Sequence, residues 1–279
     1  MSRPAALVLI GTPIGNLGDL SPRAIEELAS ASVICCEDTR RTGKLLAHAG
    51  IERPDLLVVN DHNESSRRAE VVRRIEHGER VAVVTDAGMP GISDPGERLV
   101  SAVVRAGLTV EVVPGPSAGV AALVGSGLPT GRYVFEGFLP RKAGARAERL
   151  AELVDERRTL VFYEAPHRVD RTLADLAAAF GGDRRVVVAR ELTKLYEEFW
   201  RGSLDEAVAW AADTPPRGEI AIVVDGAPAP AEPTDDDVSA ELRRLLDGGL
   251  STRDAAADVA GRFGLAKKRV YNLALELGR

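Results

Sequence analysis

Short apolar runs alternate with amphipathic segments along the first part of the chain, and this alternation restricts the folds that the chain can adopt. The runs are continuous and rich in aliphatic residues, a pattern typical of strands that are buried on both faces. They lie at residues 7–10, 33–36, 56–59, 81–85 and 110–113. Because helical segments separate them, we expect a mainly parallel sheet with helices on both of its faces.

Local capping signals predict where two of these helices begin. Ser21 is a typical cap residue and is followed by proline, which suits the first helical position. Asp94 is likewise followed by proline, and Glu97 stands at the spacing of a capping box. We therefore predict that Asp94 caps the second of these helices and that Gly107 ends it.

A second α/β unit is predicted after the Pro-Gly-Pro turn at residues 114–116. Its candidate strands lie at residues 133–138, 159–163, 186–190, 198–202 and 220–225. Beyond this unit, alanine and proline alternate over residues 226–233, which is typical of a linker.

The tail of the chain has a helical pattern. Amphipathic segments lie at residues 238–246, 251–263 and 265–277, and the last two are separated at Gly264. Helix, glycine-containing turn and helix resemble a small helix-turn-helix module, which either contacts nucleic acid or packs on the body or another subunit. We therefore predict an N-terminal parallel α/β domain (1–115), a second α/β domain (116–226), a linker (227–233) and a C-terminal helical module (234–279).

Composition argues against several classes of protein. The two cysteines, Cys35 and Cys36, are neighbours in a predicted strand and point to opposite faces, so no disulfide between them is expected. No further Cys or His pair stands at zinc-ligand spacing, so we expect no bound metal. No apolar stretch is long enough to span a bilayer, and the first residues lack signal-peptide features. We therefore expect a cytoplasmic protein with no membrane partner.

The charge distribution bears on nucleic-acid binding. A formal net charge of −6 argues against avid, nonspecific binding to nucleic acid. Each basic cluster of the chain, taken alone, is typical of a solvated helix face, but together they leave room for a local track that binds phosphates. The clusters are Arg40, Arg41 and Lys44; Arg67, Arg68, Arg73 and Arg74; Arg141, Lys142, Arg146 and Arg149; and Lys267, Lys268 and Arg269.

Three loops rich in glycine and proline follow predicted strands. They lie at residues 11–19 (GTPIGNLGD), 85–96 (TDAGMPGISDPG) and 114–118 (PGPSA). The first loop has neither the GxGxxG spacing of a dinucleotide site nor the Lys-Ser/Thr ending of a P-loop. Because ligands of open α/β sheets bind at the carboxyl ends of strands, we expect the later two loops to gather at one functional edge of the sheet.

Taken together, the three loops resemble those of the tetrapyrrole methylase superfamily. Two further segments, residues 162–168 (FYEAPHR) and 190–194 (RELTK), narrow the resemblance. They look like the bacterial branch that methylates the ribose 2′-oxygen of cytidine 1402 in 16S ribosomal RNA. The resemblance covers nearly the whole chain, including the C-terminal helical module.

This resemblance implies two α/β domains of the tetrapyrrole methylase type with S-adenosylmethionine bound in the cleft between them. It also implies a homodimer whose substrate is 16S rRNA in the small ribosomal subunit. By the family's motifs, the residues expected to contact the cofactor are Pro13, Asp86, Ala87, Gly88, Ile92, Ser117, Ala118, Leu192, Glu219 and Ile220.

The proposed chemistry requires a ribose hydroxyl to lose its proton, and a carboxylate within hydrogen-bond reach accepts protons of this kind. Glu37, Asp38 and Glu191 follow predicted strands, and we expect at least one of them to lie near the hydroxyl. Two other roles stay open. Asp38 suits a helix cap, and Glu191 suits a structural ion pair with Lys194.

Four basic residues are candidates for holding the RNA. Guanidinium groups bind planar anions with two hydrogen bonds, and RNA is recognised through phosphates and splayed bases. The candidates for the phosphate or the cytosine are Arg40, Arg41, His167 and Arg168.

Two alternative functions remain open from the sequence. A tetrapyrrole C-methyltransferase shares the fold and the cofactor, but residues 164–168 and the helical module resemble the RNA branch. A ligand-sensing DNA-binding regulator would read operators with its tail. Against that function, the tail is small, only locally basic and without an obvious set of base-reading side chains.

Overall fold

The computed structural model describes residues 3–52, 54–229 and 233–277. The chain divides into two units, Met1–Ala227 and Pro228–Arg279. The larger unit contains two β-sheets with helices, and the smaller unit is helical. Within the described ranges, no helix combines the length and the apolar composition that a membrane crossing requires.

The first sheet is entirely parallel, as the continuous apolar runs predict. Its strands are β1 (Ala6–Ile10), β2 (Val33–Cys36), β3 (Asp55–Val58), β4 (Arg80–Val83) and β5 (Val110–Val113). Their order is β3-β2-β4-β1-β5, and every neighbouring pair is parallel. The three inner strands are buried at every residue, whereas the two edge strands are partly exposed.

Helices cover both faces of this sheet. They are α1 (Pro22–Ser30), α2 (Thr39–His48), α3 (Glu64–Glu76) and α4 (Glu97–Arg105). On one face α1 and α2 pack on Val8 and its same-face neighbours, and on the other α3 and α4 pack on Leu7 and Leu9. Cys35 and Cys36 lie in the two different cores and both are free thiols, so the prediction that they point apart is confirmed.

The capping predictions for Ser21 and Gly107 are confirmed, and the one for Asp94 is wrong. Ser21 caps α1 by accepting a hydrogen bond from the Ala24 N–H, as predicted. The prediction that Asp94 caps α4 is wrong, because Gly96 is the residue at the cap position and no side chain at that position closes the helix. The acceptor comes instead from Glu64 at the start of α3, whose buried carboxylate binds three N–H groups of the α4 start. Gly107 follows the end of α4 with φ +70°, as predicted.

The second sheet is mixed. Its strands are β6 (Tyr133–Phe138), β7 (Thr159–Glu164), β8 (Arg185–Arg190), β9 (Glu198–Ser203) and β10 (Ile220–Val224). Their order is β6-β7-β10-β8-β9, with β6 and β7 parallel and the other pairs antiparallel. The predicted strands of this unit are therefore present.

One helix covers the inner face of the second sheet, and three cover the outer face. The inner helix is α5 (Ala118–Ser126), and the outer ones are α6 (Ala143–Glu152), α7 (Val169–Phe180) and α8 (Leu204–Asp213). Ile14, from the loop after β1, is buried in the same core as α5 and Leu192. The first glycine-rich loop is thereby packed against the second sheet.

The smaller unit is a three-helix bundle, as predicted. It contains α9 (Asp235–Asp247), α10 (Thr252–Phe263) and α11 (Lys267–Leu277), packed around Val238, Leu242, Val259 and Val270. Gly264 adopts a left-handed conformation with φ +65° and ends α10. Of the predicted linker at 227–233, residues 230–232 lie outside the described residues.

Candidate functional site

A cavity of about 380 Å³ lies at the carboxyl ends of the first-sheet strands. Such a volume is within the range of small-molecule sites. Within the larger unit, the part built on the first sheet is called the first lobe and the part built on the second sheet the second lobe. The first lobe contributes Ile14, the end of β2 and the loop at residues 85–96. The second lobe contributes the start of α5, the ends of β6 and β7, and the start of β10. All three glycine-rich loops therefore meet around one cavity.

Backbone contacts hold these loops together. Thr12 and Gly88 exchange hydrogen bonds, from the Thr12 N–H to the Gly88 carbonyl at 2.9 Å and from the Gly88 N–H to the Thr12 carbonyl at 3.1 Å. Gly11 donates to the Val113 carbonyl at 3.0 Å and lies directly against Gly115. The cavity wall is thus a set of mutually bonded turns, which suits a preformed site.

Acidic side chains line the first-lobe side of the cavity. The Asp86 N–H donates to the Glu37 carboxylate at 3.2 Å, and the Asp86 carboxylate lies 3.4 Å from the Arg41 guanidinium. Burial raises the pKa of both carboxyl groups above their ordinary values. Arg41 is the cation that offsets this negative charge in the wall.

Asp94 is the most perturbed carboxyl group of the cavity. Burial, and then the negative charges of its neighbours, raise the pKa of Asp94 to about 7. These charges belong to Glu37, Asp61 and Asp86. Among the described residues, none donates a hydrogen bond to this carboxylate or forms an ion pair with it. With a pKa in this range, the Asp94 carboxyl changes its protonation state near neutral pH.

Asp86 also contains an unused acceptor. Its Oδ1 atom is buried and has no hydrogen-bond partner within the part of the chain that the structure describes. A buried acceptor without a donor is costly, so its presence in a cavity wall fits a ligand that supplies an N–H or O–H group.

The second-lobe wall is aromatic. The Tyr163 hydroxyl accepts a hydrogen bond from the Gly119 N–H at 2.9 Å, which ties β7 to the first turn of α5. The rings of Phe138 and Tyr163 meet edge to face, 5.7 Å apart between centroids. Phe138 remains 53% exposed at the mouth of the cavity. This geometry leaves a ring available to pack against a ligand.

Most of the expected cofactor-contact residues line the cavity. These are Asp86, Ala87, Gly88, Ile92, Ser117, Ala118, Glu219 and Ile220. Pro13 lines a neighbouring cavity of about 230 Å³, which shares Arg41 and Asp86 with the main one. Leu192 is buried in the core beside α5 and does not line the cavity.

The three expected catalytic acids have different surroundings. Glu37 lines the cavity. Asp38 caps α2, and hydrogen bonds from Arg40 lower the pKa of this carboxyl to about 2. Glu191 forms an ion pair with Lys194 at 2.9 Å and accepts the Glu219 N–H, contacts that lower its pKa. The structural roles left open for Asp38 and Glu191 are therefore present, and neither residue lines the cavity.

The expected RNA-binding residues lie in three places. Arg41 lines the cavity, whereas Arg40 is exposed and paired with Asp38. His167 and Arg168 line an adjacent groove of about 750 Å³. There the Arg168 guanidinium forms an ion pair with the buried Glu164 carboxylate, at 3.3 Å.

Comparison with known proteins identifies the family. Family models described as Tetrapyrrole (Corrin/Porphyrin) Methylases and as RsmI C-terminal HTH domain match residues 6–208 and 232–278. A Synechocystis protein named ribosomal RNA small subunit methyltransferase I is 45% identical over 97% of this chain and 98% of its own length. A Xylella fastidiosa protein of the same name is 48% identical over 97% of this chain and 99% of its own length. The chain belongs to the ribosomal RNA small subunit methyltransferase I family.

Solved structures outside this methyltransferase I family share its fold. Uroporphyrin-III-C-methyltransferase from Thermus thermophilus matches with a TM-score of 0.57 at 21% identity, covering 80% of this chain and 95% of that one. Cobalt precorrin-4 methyltransferase matches with a TM-score of 0.60 at 19% identity, covering 81% of this chain and 97% of that one. The tetrapyrrole methylase fold predicted from the sequence is confirmed.

In this member of the methyltransferase I family, the site residues predicted from the sequence omit several residues that line the cavity, among them Asp94, Phe138 and Tyr163. The local sequence predicts a helix cap at Asp94, although this residue lies in a loop with the composition of a functional loop. The sequence places Phe138 at the end of a predicted strand and Tyr163 at the end of another and in the segment 162–168, but it gives neither residue a role in the site. Their positions at carboxyl ends of neighbouring parallel strands, β6 and β7, were the available signal.

Proposed function

We propose that the chain uses S-adenosylmethionine to methylate the ribose 2′-hydroxyl of cytidine 1402 in 16S ribosomal RNA. The observation that carries this proposal is the similarity over nearly the full length, at 45–48% identity, to proteins named ribosomal RNA small subunit methyltransferase I. The cavity supports it physically, because residues from all three glycine-rich loops line one site of the size that small ligands occupy.

The residues of the cavity fit S-adenosylmethionine. The unpaired Oδ1 atom of Asp86 suits a hydrogen-bond donor of the cofactor, such as its ammonium group or a ribose hydroxyl. The acidic wall suits its positively charged sulfonium. Ser117 and Ala118 stand at the start of α5, where the positive end of the helix dipole favours a carboxylate.

The cofactor supplies an activated methyl group, and the chain's residues supply binding and position. Asp86, Gly88, Ser117 and Ala118 would hold the cofactor, and Glu219 and Ile220 would close the second-lobe side. Pro13 and Leu192 do not line the cavity and would support its wall from the neighbouring cavity and from the core. Glu37 remains our expected neighbour of the ribose hydroxyl. The catalytic roles expected of Asp38 and Glu191 stay predictions, which Asp38→Asn and Glu191→Gln test.

The groove beside the cavity is our proposed RNA path. Arg141, His167 and Arg171 line it, and their side chains form no ion pair with any residue that the structure describes. Unpaired basic side chains in a groove suit the phosphates of an RNA strand. Phe138 borders both the groove and the cavity, so a base turned into the cavity would pass its ring, and stacking on aromatic rings is common in RNA recognition.

We infer further that the chain acts as a homodimer on the small ribosomal subunit in the cytoplasm. Large apolar side chains are exposed on α5 and in the loop between β8 and β9, with Val124 at 70%, Leu195 at 88% and Tyr196 at 68% exposure. Exposed apolar surface of this kind is typical of subunit interfaces. Light scattering of the wild type and of Val124→Glu tests it, with a dimer expected for the wild type and a monomer for the variant.

The test of the reaction uses small ribosomal subunits that lack the methyl group. The purified chain is incubated with them and with methyl-labelled S-adenosylmethionine, and the modified nucleotide is mapped by reverse transcription. We expect one labelled ribose, at cytidine 1402. No transfer, or transfer only to a uroporphyrinogen-type substrate, contradicts the proposal. Calorimetry with S-adenosylmethionine separately tests cofactor binding.

A further inference from the structure

We propose that Asp94 accepts the proton of the ribose 2′-hydroxyl during methyl transfer. This inference rests on the function proposed above. It assigns a chemical role to a residue that local sequence signals place at a helix cap, and it follows from the contacts of each acidic side chain around the cavity.

Five acidic side chains line the cavity. The two on the second-lobe side, Glu164 and Glu219, already have hydrogen-bond or ion-pair partners. The Glu164 carboxylate is buried and accepts hydrogen bonds from the Ala165 N–H at 2.8 Å and the Thr172 hydroxyl at 2.6 Å. Glu219 is paired with Lys194 at 3.0 Å. Protonation would weaken these contacts, because an ionised carboxylate is the stronger hydrogen-bond acceptor.

On the first-lobe side, Glu37 and Asp86 are also engaged. Glu37 accepts the Asp86 N–H, and Asp86 is paired with Arg41, whose positive charge favours the ionised carboxylate. Asp94 alone of the five forms no hydrogen bond or ion pair with the residues that the structure describes. It is partly buried and faces the cavity, so its oxygens remain available to substrate.

The loop that carries Asp94 is held on both sides of it. After Asp94, the Glu64 carboxylate accepts the Gly96 N–H at 3.0 Å, and the Pro95 carbonyl accepts the Gly91 N–H at 3.0 Å. Before it, Ser93 adopts φ +62°, a conformation that non-glycine residues rarely hold. Such strained backbone persists where the surrounding structure enforces it, and it concentrates at functional sites. The backbone on both sides of Asp94 is therefore held in place.

The electrostatic environment of Asp94 suits a proton acceptor. The charged groups that face Asp94 are Glu37 at the end of β2, Asp61 in the loop before α3 and Asp86 after β4, and the Tyr163 phenol faces it from β7. Arg41, the basic residue among the described residues that line the cavity, forms an ion pair with Asp86. Burial and like charges raise the pKa of Asp94 to about 7, and a general base works best when its pKa is near the operating pH.

The step balances as follows. The ribose 2′-oxygen forms a bond to the methyl carbon while the bond from that carbon to the sulfonium sulfur breaks. The electron pair of the broken bond stays on sulfur, which becomes a neutral thioether. The hydroxyl proton moves to a carboxylate oxygen of Asp94, which later releases it to water.

The experiment compares the wild type with Asp94→Asn, Asp94→Glu and Asp61→Asn, each at saturating cofactor and undermethylated subunits from about pH 5.5 to about pH 9. The wild-type single-turnover rate is expected to rise with pH and then to reach a plateau, because only ionised Asp94 accepts the proton. Asp94→Asn is expected to lower the plateau rate by about 10²–10⁴-fold. Asp94→Glu is expected to recover part of this loss.

The pH profile of Asp61→Asn separates a proton acceptor from a residue with a purely structural role, because a structural role of Asp94 would leave this profile unshifted. It removes a negative charge that faces Asp94 but leaves Asp94 itself, and Asp61 is exposed and does not line the cavity. We expect the rate profile to shift to lower pH with an unchanged plateau. Asp183→Asn, an exposed aspartate on another part of the fold, is the matched control and should leave the profile unchanged.

The outcomes separate this inference from the proposed function. If the wild type methylates the RNA and Asp94→Asn does so at the same rate, the inference fails and the function stands. If Asp94→Asn keeps the wild-type rate at saturating cofactor and loses only cofactor affinity in calorimetry, Asp94 is a binding residue and the inference fails. If Asp94→Asn does not fold, an unshifted Asp61→Asn profile overturns the inference. If the wild type transfers no methyl group, both fail.

Discussion

The backbones of Gly11 and Gly115 pass so close to each other that neither residue has room for a side chain. A Cβ atom on Gly11 would lie 2.6 Å from the Gly115 Cα, and a Cβ atom on Gly115 would lie 2.7 Å from the Gly11 Cα. This contact joins the loop after β1 to the loop after β5, and both loops form the wall of the cavity. Glycine is required at both positions because only backbone fits there.

Gly115→Ala is therefore expected to lower the free energy of unfolding by about 1–3 kcal/mol, the usual cost of forcing atoms into a packed region. Urea denaturation followed by circular dichroism measures it. Gly43→Ala, in α2, is the matched control. Apart from the backbone of the helix itself, no atom of the described residues lies within 4 Å of its Cβ position. Alanine there should raise stability by about 0.5–1 kcal/mol. Equal stability of Gly115→Ala and the wild type would contradict the close contact.

The Glu64 carboxylate stabilises the start of α4, and Glu64→Ala tests this. The substitution leaves the N–H groups of Gly96, Arg98 and Leu99 without their acceptor, at a cost of about 1–3 kcal/mol. Hydrogen exchange should become faster at these amides in particular. Glu76→Ala, at an exposed position of the same helix α3, is the control and should change neither quantity. Unchanged exchange at Gly96 would rule out the capping role.

Asp94 should make stability depend on pH. Its pKa is raised in the folded state to about 7 from an ordinary value of 3.8, so the folded state holds this proton more tightly than the unfolded state. Stability from this group is therefore present below about pH 4 and is lost as pH rises toward 7. In Asp94→Asn this loss is absent, so the variant should gain stability relative to the wild type between these pH values. Parallel curves of unfolding free energy against pH would contradict it.

Arg141→Ala and Arg171→Ala test the groove. Each is expected to weaken binding to the small subunit and to lower the slope of log affinity against log salt by about 1, as loss of one phosphate contact does. Affinity for S-adenosylmethionine should stay unchanged, because neither residue lines the cavity. Arg105→Ala, at an exposed position on α4, is the control. Subunit binding with the wild-type salt slope in both groove variants would place the RNA elsewhere.

The sequence by itself determined the fold class and most strand positions. Continuous aliphatic runs such as those of β1, β2 and β4 are stable only when both faces of the strand are covered, so the pattern specifies a parallel sheet between helix layers. The glycine-rich loops also marked the edge at which the cavity forms, because ligands bind at the carboxyl ends of such strands.

Only the tertiary structure decided which polar side chain caps a helix, which one forms an ion pair and which one faces the cavity. Asp94 has the local spacing of a cap, but Glu64, thirty positions earlier in the chain, reaches the same helix start and leaves the Asp94 carboxylate facing the cavity. Asp38 and Glu37 are sequence neighbours, yet one is held by Arg40 and the other faces the cavity. The physical reason is that apolar burial follows short sequence periods, whereas hydrogen-bond partners and electric fields come from any part of the chain that folding brings near.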